Sequence, residues 1–401
     1  MNKVKYTLGY LHNLINVGIR DNMLTSVHKP RWFPDALDSV YNEMLKSGNP
    51  VNNSFYKNMN ADKLINHENI ASSKMDRAPW NEDIESEYNI CLDEGKINTN
   101  ANTKYYHWLT NANIYYPHKK YANFKKYQPY FKPKGTIGDL CFLNSVGPTC
   151  LKFYSKSNND ISVCYTNTFM DRDLTCVVSI IDVGKNCKIT LNEHFENKED
   201  GIKLHKLIYL VRDGADLHLE RAYEMYNKET AMNVVESSVI QFPGSKFTMN
   251  IQGEGSKHTQ DILDIEIYKD CFTSVVGSYN CFDNVTNNSV VNLHHKDKNS
   301  FSRVDVKSIV DDNAHSSFLG CITVDKRATG VDAELYNKNL LLSNTATAIT
   351  EPQLDINTKD INCKHGCTVS NVNKDELFYL GTRGIDPVSA EETLKKCFLT
   401  I

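Results

Sequence analysis

Three segments in the middle of the chain repeat one another, and this repetition restricts the fold more than any other feature. They are Ile180-Ile-Asp-Val-Gly184-Lys-Asn-Cys-Lys-Ile-Thr-Leu191, Leu210-Val-Arg-Asp-Gly214-Ala-Asp-Leu-His-Leu219 and Val239-Ile-Gln-Phe-Pro-Gly244-Ser-Lys-Phe-Thr-Met-Asn-Ile251. Each reads as a strand, a tight turn and a second strand. The turn glycines fall thirty residues apart, at 184, 214 and 244. Later segments, Val306 to Leu319 and Leu340 to Ile349, keep the shape without glycine. Apolar side chains alternate along each strand, so one face of every unit is apolar. One such unit cannot bury that face alone, whereas stacked units can. The expected core, 136–365, is therefore a coil of parallel sheets, a β-helix, with left-handed backbone at the glycine turns. A β-sandwich would use strands of this length but would not favour such regular turn spacing.

The flanks read differently. Residues 1–135 are expected to be helical and irregular. Pro34 to Lys46 places Ala36, Leu37, Val40, Tyr41, Met44 and Leu45 on one helical stripe. Tyr105 to Tyr130 interleaves aromatics with lysines, a pattern that can stack bases but is read here as lysine stems lying on packed aromatics. Residues 366–401 form a short helical subdomain. Asn373 is placed as the N-cap of a first helix that stops at Gly384, and Ser389 with Glu392 forms a capping box for a second.

Composition excludes several classes. The 45 basic and 49 acidic residues leave a net charge of −4, which gives no general attraction to nucleic acid or anionic membrane. No apolar run approaches the roughly 20 residues of a membrane span. Met1 to Gly18 lacks the apolar centre of a secretory leader. The 12 cysteines are scattered without a CxxC pair and are read as free thiols in a reducing, cytoplasm-like compartment. Walker, GxSxG and HExxH motifs are absent, so neither an ATPase nor a hydrolase is expected.

The densest chemistry lies in Asn362-Cys-Lys-His-Gly-Cys367. Alternation along a strand puts Cys363, His365 and Cys367 on one face. Thiolate and imidazole together suit iron, zinc or an iron–sulfur cluster, and three donors from one strand leave the site for a neighbour to complete. Lys364 beside Cys363 would favour the thiolate. The alternative is two packed cysteines and a hydrogen-bonded histidine at a strand end. His294-His295 is read as a solvated strand end, and Asp311-Asp312 as a turn in preference to a paired-acid or calcium site.

The C-terminal third resembles a known family. Leu335-Tyr-Asn-Lys-Asn-Leu-Leu-Leu-Ser343, Thr350-Glu-Pro-Gln-Leu-Asp-Ile356, Asn362-Cys-Lys-His-Gly-Cys-Thr-Val369 and Glu376-Leu-Phe-Tyr-Leu-Gly-Thr-Arg-Gly-Ile385 run in the order and spacing of the SufB/SufD scaffolds of iron–sulfur cluster assembly. The Cys-x-His-Gly run resembles SufD more than SufB. The resemblance implies a right-handed parallel β-helix between helical flanks and a non-enzymatic scaffold subunit. It implies a complex with a SufB-like subunit, or a second copy of the chain, and with a SufC-like ATPase. The ATPase would dock on the C-terminal helices, at Leu377, Phe378, Tyr379 and Arg383. Cys363 and His365 would hold iron or a transient cluster shared with the partner. Cys367, where the family has a small residue, is an extra ligand or, as preferred here, a packing cysteine. A flavin and a plastid-like organelle are further implications. A SufB-like homodimeric scaffold and a carbohydrate-binding or glycan-cleaving β-helix are the rival readings.

Overall fold

A computed structural model describes residues 89–93, 96–99, 106–109, 125–130, 149–153, 158–166, 174–197, 202–225, 232–254 and 258–399. The expected helix over 34–46 lies outside them. Nineteen strands are described. Strands β1 (Asn89–Asp93), β2 (Lys96–Thr99) and β3 (Tyr106–Leu109) come first, followed by β4 (Thr149–Phe153) and β5 (Asn158–Thr166). The regular coil comprises β6 (Leu174–Val183), β7 (Lys188–Asn197), β8 (Ile202–Val211), β9 (Asp216–Met225), β10 (Met232–Gln241), β11 (Lys246–Glu254) and β12 (His258–Ile267). It continues through β13 (Phe272–Cys281), β14 (Thr286–His295), β15 (Phe301–Val310), β16 (His315–Val324), β17 (Val331–Leu341), β18 (Thr347–Ile356) and β19 (Ile361–Asn371). Odd strands from β5 to β19 stack into one sheet and even strands from β4 to β18 into the other, all parallel. This is a β-solenoid and not a sandwich. Antiparallel β2 and β3 close the two sheets at the other end. The described pieces of 1–135 are thus three strands and a 3₁₀ turn, Lys125–Tyr130.

Alternation gives the solenoid its interior. Ile189 and Leu191, Leu217 and Leu219, Phe247 and Met249, and Ala333 and Leu335 form a buried column from one sheet. Leu207 and Tyr209, Leu263 and Ile265, and Ile322 and Val324 form the facing column from the other. Each Leu, Ile, Val, Phe or Met among them contributes about 1.5–3 kcal/mol through burial. The walls approach closely: a Cβ on Gly320 would lie 2.7 Å from Leu335 Cδ1.

The equal glycine spacing is not the structural period. Leu174 aligns with Ile202, Ile202 with Met232, Met232 with His258, His258 with Thr286, Thr286 with His315 and His315 with Thr347. Successive turns therefore take 28, 30, 26, 28, 29 and 32 residues. The left-handed corner position falls on Asn186, Gly214, Gly244, Asp270, Asn299 and Gly330, with φ of 57°, 64°, 71°, 55°, 58° and 68°. Their amides form a continuous ladder: Asn186 donates to Asp213, Gly214 to Pro243, Gly244 to Lys269, Asp270 to Lys298, Asn299 to Thr329 and Gly330 to Asp360, at 2.8–3.2 Å. Asn and Asp tolerate this conformation best among non-glycine residues. Gly184 lies two residues before its corner and is needed for another reason. A Cβ there would sit 2.4 Å from the Phe153 carbonyl oxygen, which accepts from the Gly184 amide. Asp312, with φ of 49°, turns the opposite corner, as expected for Asp311-Asp312.

The 3₁₀ turn lies on the outer face of the even sheet. Tyr127 is fully buried and donates to Asp182 Oδ2 at 2.8 Å, and Arg212 bonds both Asp182 Oδ1 (2.7 Å) and the Tyr130 hydroxyl (3.2 Å). This described part of the aromatic–lysine stretch is a packing segment. The rest, apart from strand β3, lies outside the described residues.

Helices α1 (Lys374–Thr382) and α2 (Pro387–Leu399) follow β19. The last strand thus runs six residues past the expected core boundary at 365. Asn373 caps α1 as expected, accepting from Asp375 N at 3.0 Å. The start of α2 differs from expectation. Asp386 Oδ1 accepts from Val388 N (3.1 Å) and Ser389 N (3.0 Å), so Pro387 opens the helix and Ser389 is inside it. Proline suits that first position because its missing N–H has no intrahelical partner anyway. Lys307 on β15 donates to Phe398 O at 2.9 Å, tying the far end of α2 back to the solenoid.

Candidate functional site

Among the described residues the final turn of the solenoid, β18 with β19, has no further turn above it, and both strands lie at the edge of their sheets. An edge strand presents unpaired backbone groups to a partner. On β19, Cys363, His365 and Cys367 align with Ala333, Leu335 and Asn337 of β17, three buried inward positions. All three therefore project from one face, over the mouth of the solenoid, as alternation predicts. His365 and Cys367 are exposed, and Cys363 is half-buried.

The opposite wall of the mouth follows from the turn beneath. Gly320 faces Leu335 there. Pro352 lies above Gly320 and His365 above Leu335, so Pro352 faces His365. By the same register Leu354 faces Cys363 and Thr350 faces Cys367. The mouth is thus apolar at its Cys363 end, where Cys363, Ile356 and Ile361 pack against the core. It is polar at its Cys367 end, where Asn337 and Asn339 lie beneath and Asn339 Nδ2 donates to Asn337 Oδ1 at 2.6 Å. Cys363 packs against the core whereas Cys367 is exposed, so the described residues give Cys367 no packing partner of the kind preferred for it.

A second correction concerns Lys364. It projects from the outer face and pairs with Glu334 at 3.2 Å, beside a bond from Asn362 to Asp332 at 2.9 Å. The Cys363 thiol is pushed up by partial burial and by the Asp332 carboxylate, so Lys364 does not activate it. Strand geometry also limits the chemistry. Positions two apart are separated by roughly 7 Å, which side chains can bridge to one ion, whereas Cys363 and Cys367 start roughly 13 Å apart. His365 can share an ion with either thiol, but the two thiols cannot share one. Consistent with this, no complete metal-holding group of His, Cys, Asp and Glu occurs among the described residues.

The helices present a second surface. Phe378 is 75 % exposed, Tyr379 55 % and Val388 74 %. Leu377 is half-buried, and exposed Arg383 lies over the Tyr379 ring at 5.1 Å. No residue of α1 is buried, and Phe378 and Tyr379 are its most exposed apolar side chains.

The sequence reading missed two interior features. His295, expected to be solvated, is fully buried between Ser300 Oγ (2.7 Å from Nδ1) and Ser302 Oγ (2.9 Å from Nε2). Its parity with Leu293 places it inward. Arg221 is also inside, bonded to Glu193 Oε2 (3.0 Å), Asp261 Oδ1 (3.1 Å), Tyr209 (3.0 Å) and Ser237 (2.9 Å). The signal was present, since Leu217, Leu219, Arg221 and Tyr223 share one parity. A groove on the even sheet is lined by charged Lys206, Asp264, Glu266 and Lys296 together with Tyr130, Ser238, Val239, Ile240 and His294.

Residues 169–398 match the family described as the SUF system FeS cluster assembly, SufBD core domain. The chain is 37 % identical over 92 residues to the iron-sulfur cluster assembly protein SufD of Escherichia coli, covering 23 % of this chain and 22 % of that one. It is 25 % identical over 236 residues to SufD of Bacillus subtilis, covering 59 % and 48 %. It is 29 % identical over 199 residues to the chloroplastic protein ABCI7 of Arabidopsis thaliana, covering 47 % and 38 %. The matched stretches thus span from about a fifth to about half of these relatives' own lengths.

Proposed function

The chain belongs to the SufBD core-domain family of the SUF system, and on that premise we propose that it is a SufD-like, non-catalytic scaffold subunit of iron–sulfur cluster assembly. The observation that supports this reading is the final turn, which no other turn covers among the described residues and whose edge strands, thiols and imidazole would make half of a binding site. The nascent cluster, or its iron, is cargo held transiently between this turn and the matching turn of a SufB-like subunit. The family pattern puts the donors among Cys363, His365 and Cys367, with the imidazole from His365 and the sulfur from one of the two thiols. The interface has a physical basis: two solenoids that meet through their last strands satisfy each other's edge hydrogen bonds and cover exposed Ile349, Leu354 and Val369.

In the same reading a SufC-like ATPase docks on the α1–α2 hairpin through Phe378, Tyr379, Leu377 and Arg383. Only Val372 and Asn373 separate α1 from β19, so a force on the hairpin reaches the strand that bears the donors. The domain division that accompanies this proposal is an N-terminal region to about 135, the solenoid, and the helical subdomain. The setting is the cytoplasm or, as for the chloroplastic relative, a plastid.

The test is anaerobic co-expression with a SufB-like subunit and a SufC-like ATPase, followed by iron and acid-labile sulfide analysis of the purified complex. Cluster absorbance that needs both partners and falls several-fold in His365→Ala supports the proposal. Undiminished assembly in that variant removes His365 from the site, and failure of the chain to co-purify with either partner overturns the scaffold reading.

A further inference from the structure

We propose that the thiol this chain offers to cargo is Cys367, working with His365, and that Cys363 belongs to the core. The inference rests on the scaffold reading and refines which atoms serve it. Three observations point the same way. Access differs: Cys363 packs against the core with Ile361 and Ile356, whereas Cys367 is exposed. Floor and wall differ: Ala333 lies beneath Cys363 and Leu354 faces it, whereas Asn337 lies beneath Cys367 and Thr350 faces it. Hydrogen-bonding capacity differs as well. The Thr350 hydroxyl and the buried Asn339 Oδ1 have no partner among the described residues, and both belong to the polar end of the mouth. A thiolate, or a water on a bound ion, would accept from that hydroxyl and so give the unmet polar group a partner.

The chemistry is that of a thiophilic divalent cation. His365 supplies a neutral ring nitrogen and Cys367 supplies sulfur. On binding, the Cys367 thiol gives its proton to solvent, and the ion exchanges two of its waters for sulfur and nitrogen. The remaining positions stay open to sulfide or to a partner's ligands. Gly366 between the two donors lets the Tyr336 ring lie against the strand's outer side, where a Cβ would come to 3.0 Å from the ring.

The test is a titration of the full chain with Co2+ under anaerobic conditions, read by the thiolate-to-cobalt charge-transfer absorbance. It uses a Cys397→Ser background, because Cys397 is also exposed. Cys363→Ser should keep the band, Cys367→Ser should abolish it, and His365→Ala should weaken Co2+ binding by about tenfold or more. Retention of the band in Cys367→Ser together with its loss in Cys363→Ser overturns the assignment while leaving the scaffold reading intact. So does the absence of a band in the parent chain, since a site completed only by a partner would still be open. An unchanged affinity in His365→Ala removes the imidazole and counts against both.

Discussion

Gly320 and Leu335 face each other across the interior so closely that a methyl group on Gly320 would lie 2.7 Å from Leu335 Cδ1 and from the Phe318 ring. Because Pro352 and His365 occupy the next turn above this pair, the contact sets the width of the mouth beneath the donors. Gly320→Ala should cost about 1–3 kcal/mol by overpacking. Adding Leu335→Val should recover part of it, a non-additivity that urea unfolding of the two single variants and the double variant would show. Equal additive losses would mean that the wall relaxes elsewhere.

Arg221 is the keystone of a buried charge cluster. It lies between Glu193 and Asp261, both fully inside, and Tyr223 also donates to Asp261 Oδ2 at 2.7 Å. Burial raises both carboxyls, while the guanidinium opposes it. Arg221→Met leaves two buried acids without their counter-charge and should lower stability by about 3–5 kcal/mol. Tyr209→Phe removes the hydroxyl's bonds to Glu193 and from Arg221 but leaves the charges paired, and should cost about 1.5–3 kcal/mol. Chemical denaturation of both variants at neutral pH separates a charge effect from a packing effect.

Acid sensitivity should begin in the histidine range. Burial, helped by His294, lowers His295 from 6.5 to about 4. The unfolded chain takes up a proton near 6.5 that the folded chain refuses until about 4, so stability falls as pH drops between those values. The loss is on the order of 3 kcal/mol at most for this residue. His205, lowered to about 3 by burial and by Lys203 and Arg221, acts in the same direction. His295→Gln, which can still bridge Ser300 and Ser302, should flatten the stability profile between pH 6.5 and 4.5. An unchanged slope would assign the effect to other groups.

Lys307 should act as a latch for the helical hairpin. Its ammonium bonds Phe398 O and lies 5.9 Å from the Phe398 ring, at the negative end of the α2 dipole. Lys307→Met should speed tryptic cleavage at Lys395 and Lys396 and raise amide exchange in α2, with the melting of the solenoid nearly unchanged. Unaltered cleavage would show that other contacts hold the hairpin.

The start of α2 should loosen in acid. Hydrogen bonds from Ser389 hold the Asp386 carboxyl below its ordinary range. Its contribution is present above the unfolded carboxyl value and fades as pH falls through the folded one. Asp386→Ala should raise amide exchange at Val388 and Ser389 at neutral pH and remove any further change below pH 4.

Much of the solenoid was legible because alternation is a local property: parity along β7, β9 and β17 marks the inward residues without knowledge of their neighbours. The same parity placed Cys363, His365 and Cys367 on one face. It also contained Arg221 and His295, which were missed because a charged or imidazole side chain reads as solvent-facing when its parity is ignored. The thirty-residue glycine spacing misled because glycine serves two needs here. Gly214 and Gly244 supply left-handed corners, and Gly184 permits a close approach to Phe153.

By itself the sequence determined the strand pattern, the stacking of turns, the α1 cap and the shared face of the three donors, since each depends on residues a few positions apart. Only the tertiary structure decided which thiol is covered, that Lys364 turns away to Glu334, and that no described residue stacks on the last turn. Those outcomes depend on what stacks above or faces across, and the strands that do so lie a full turn away along the chain, beyond the reach of any local pattern.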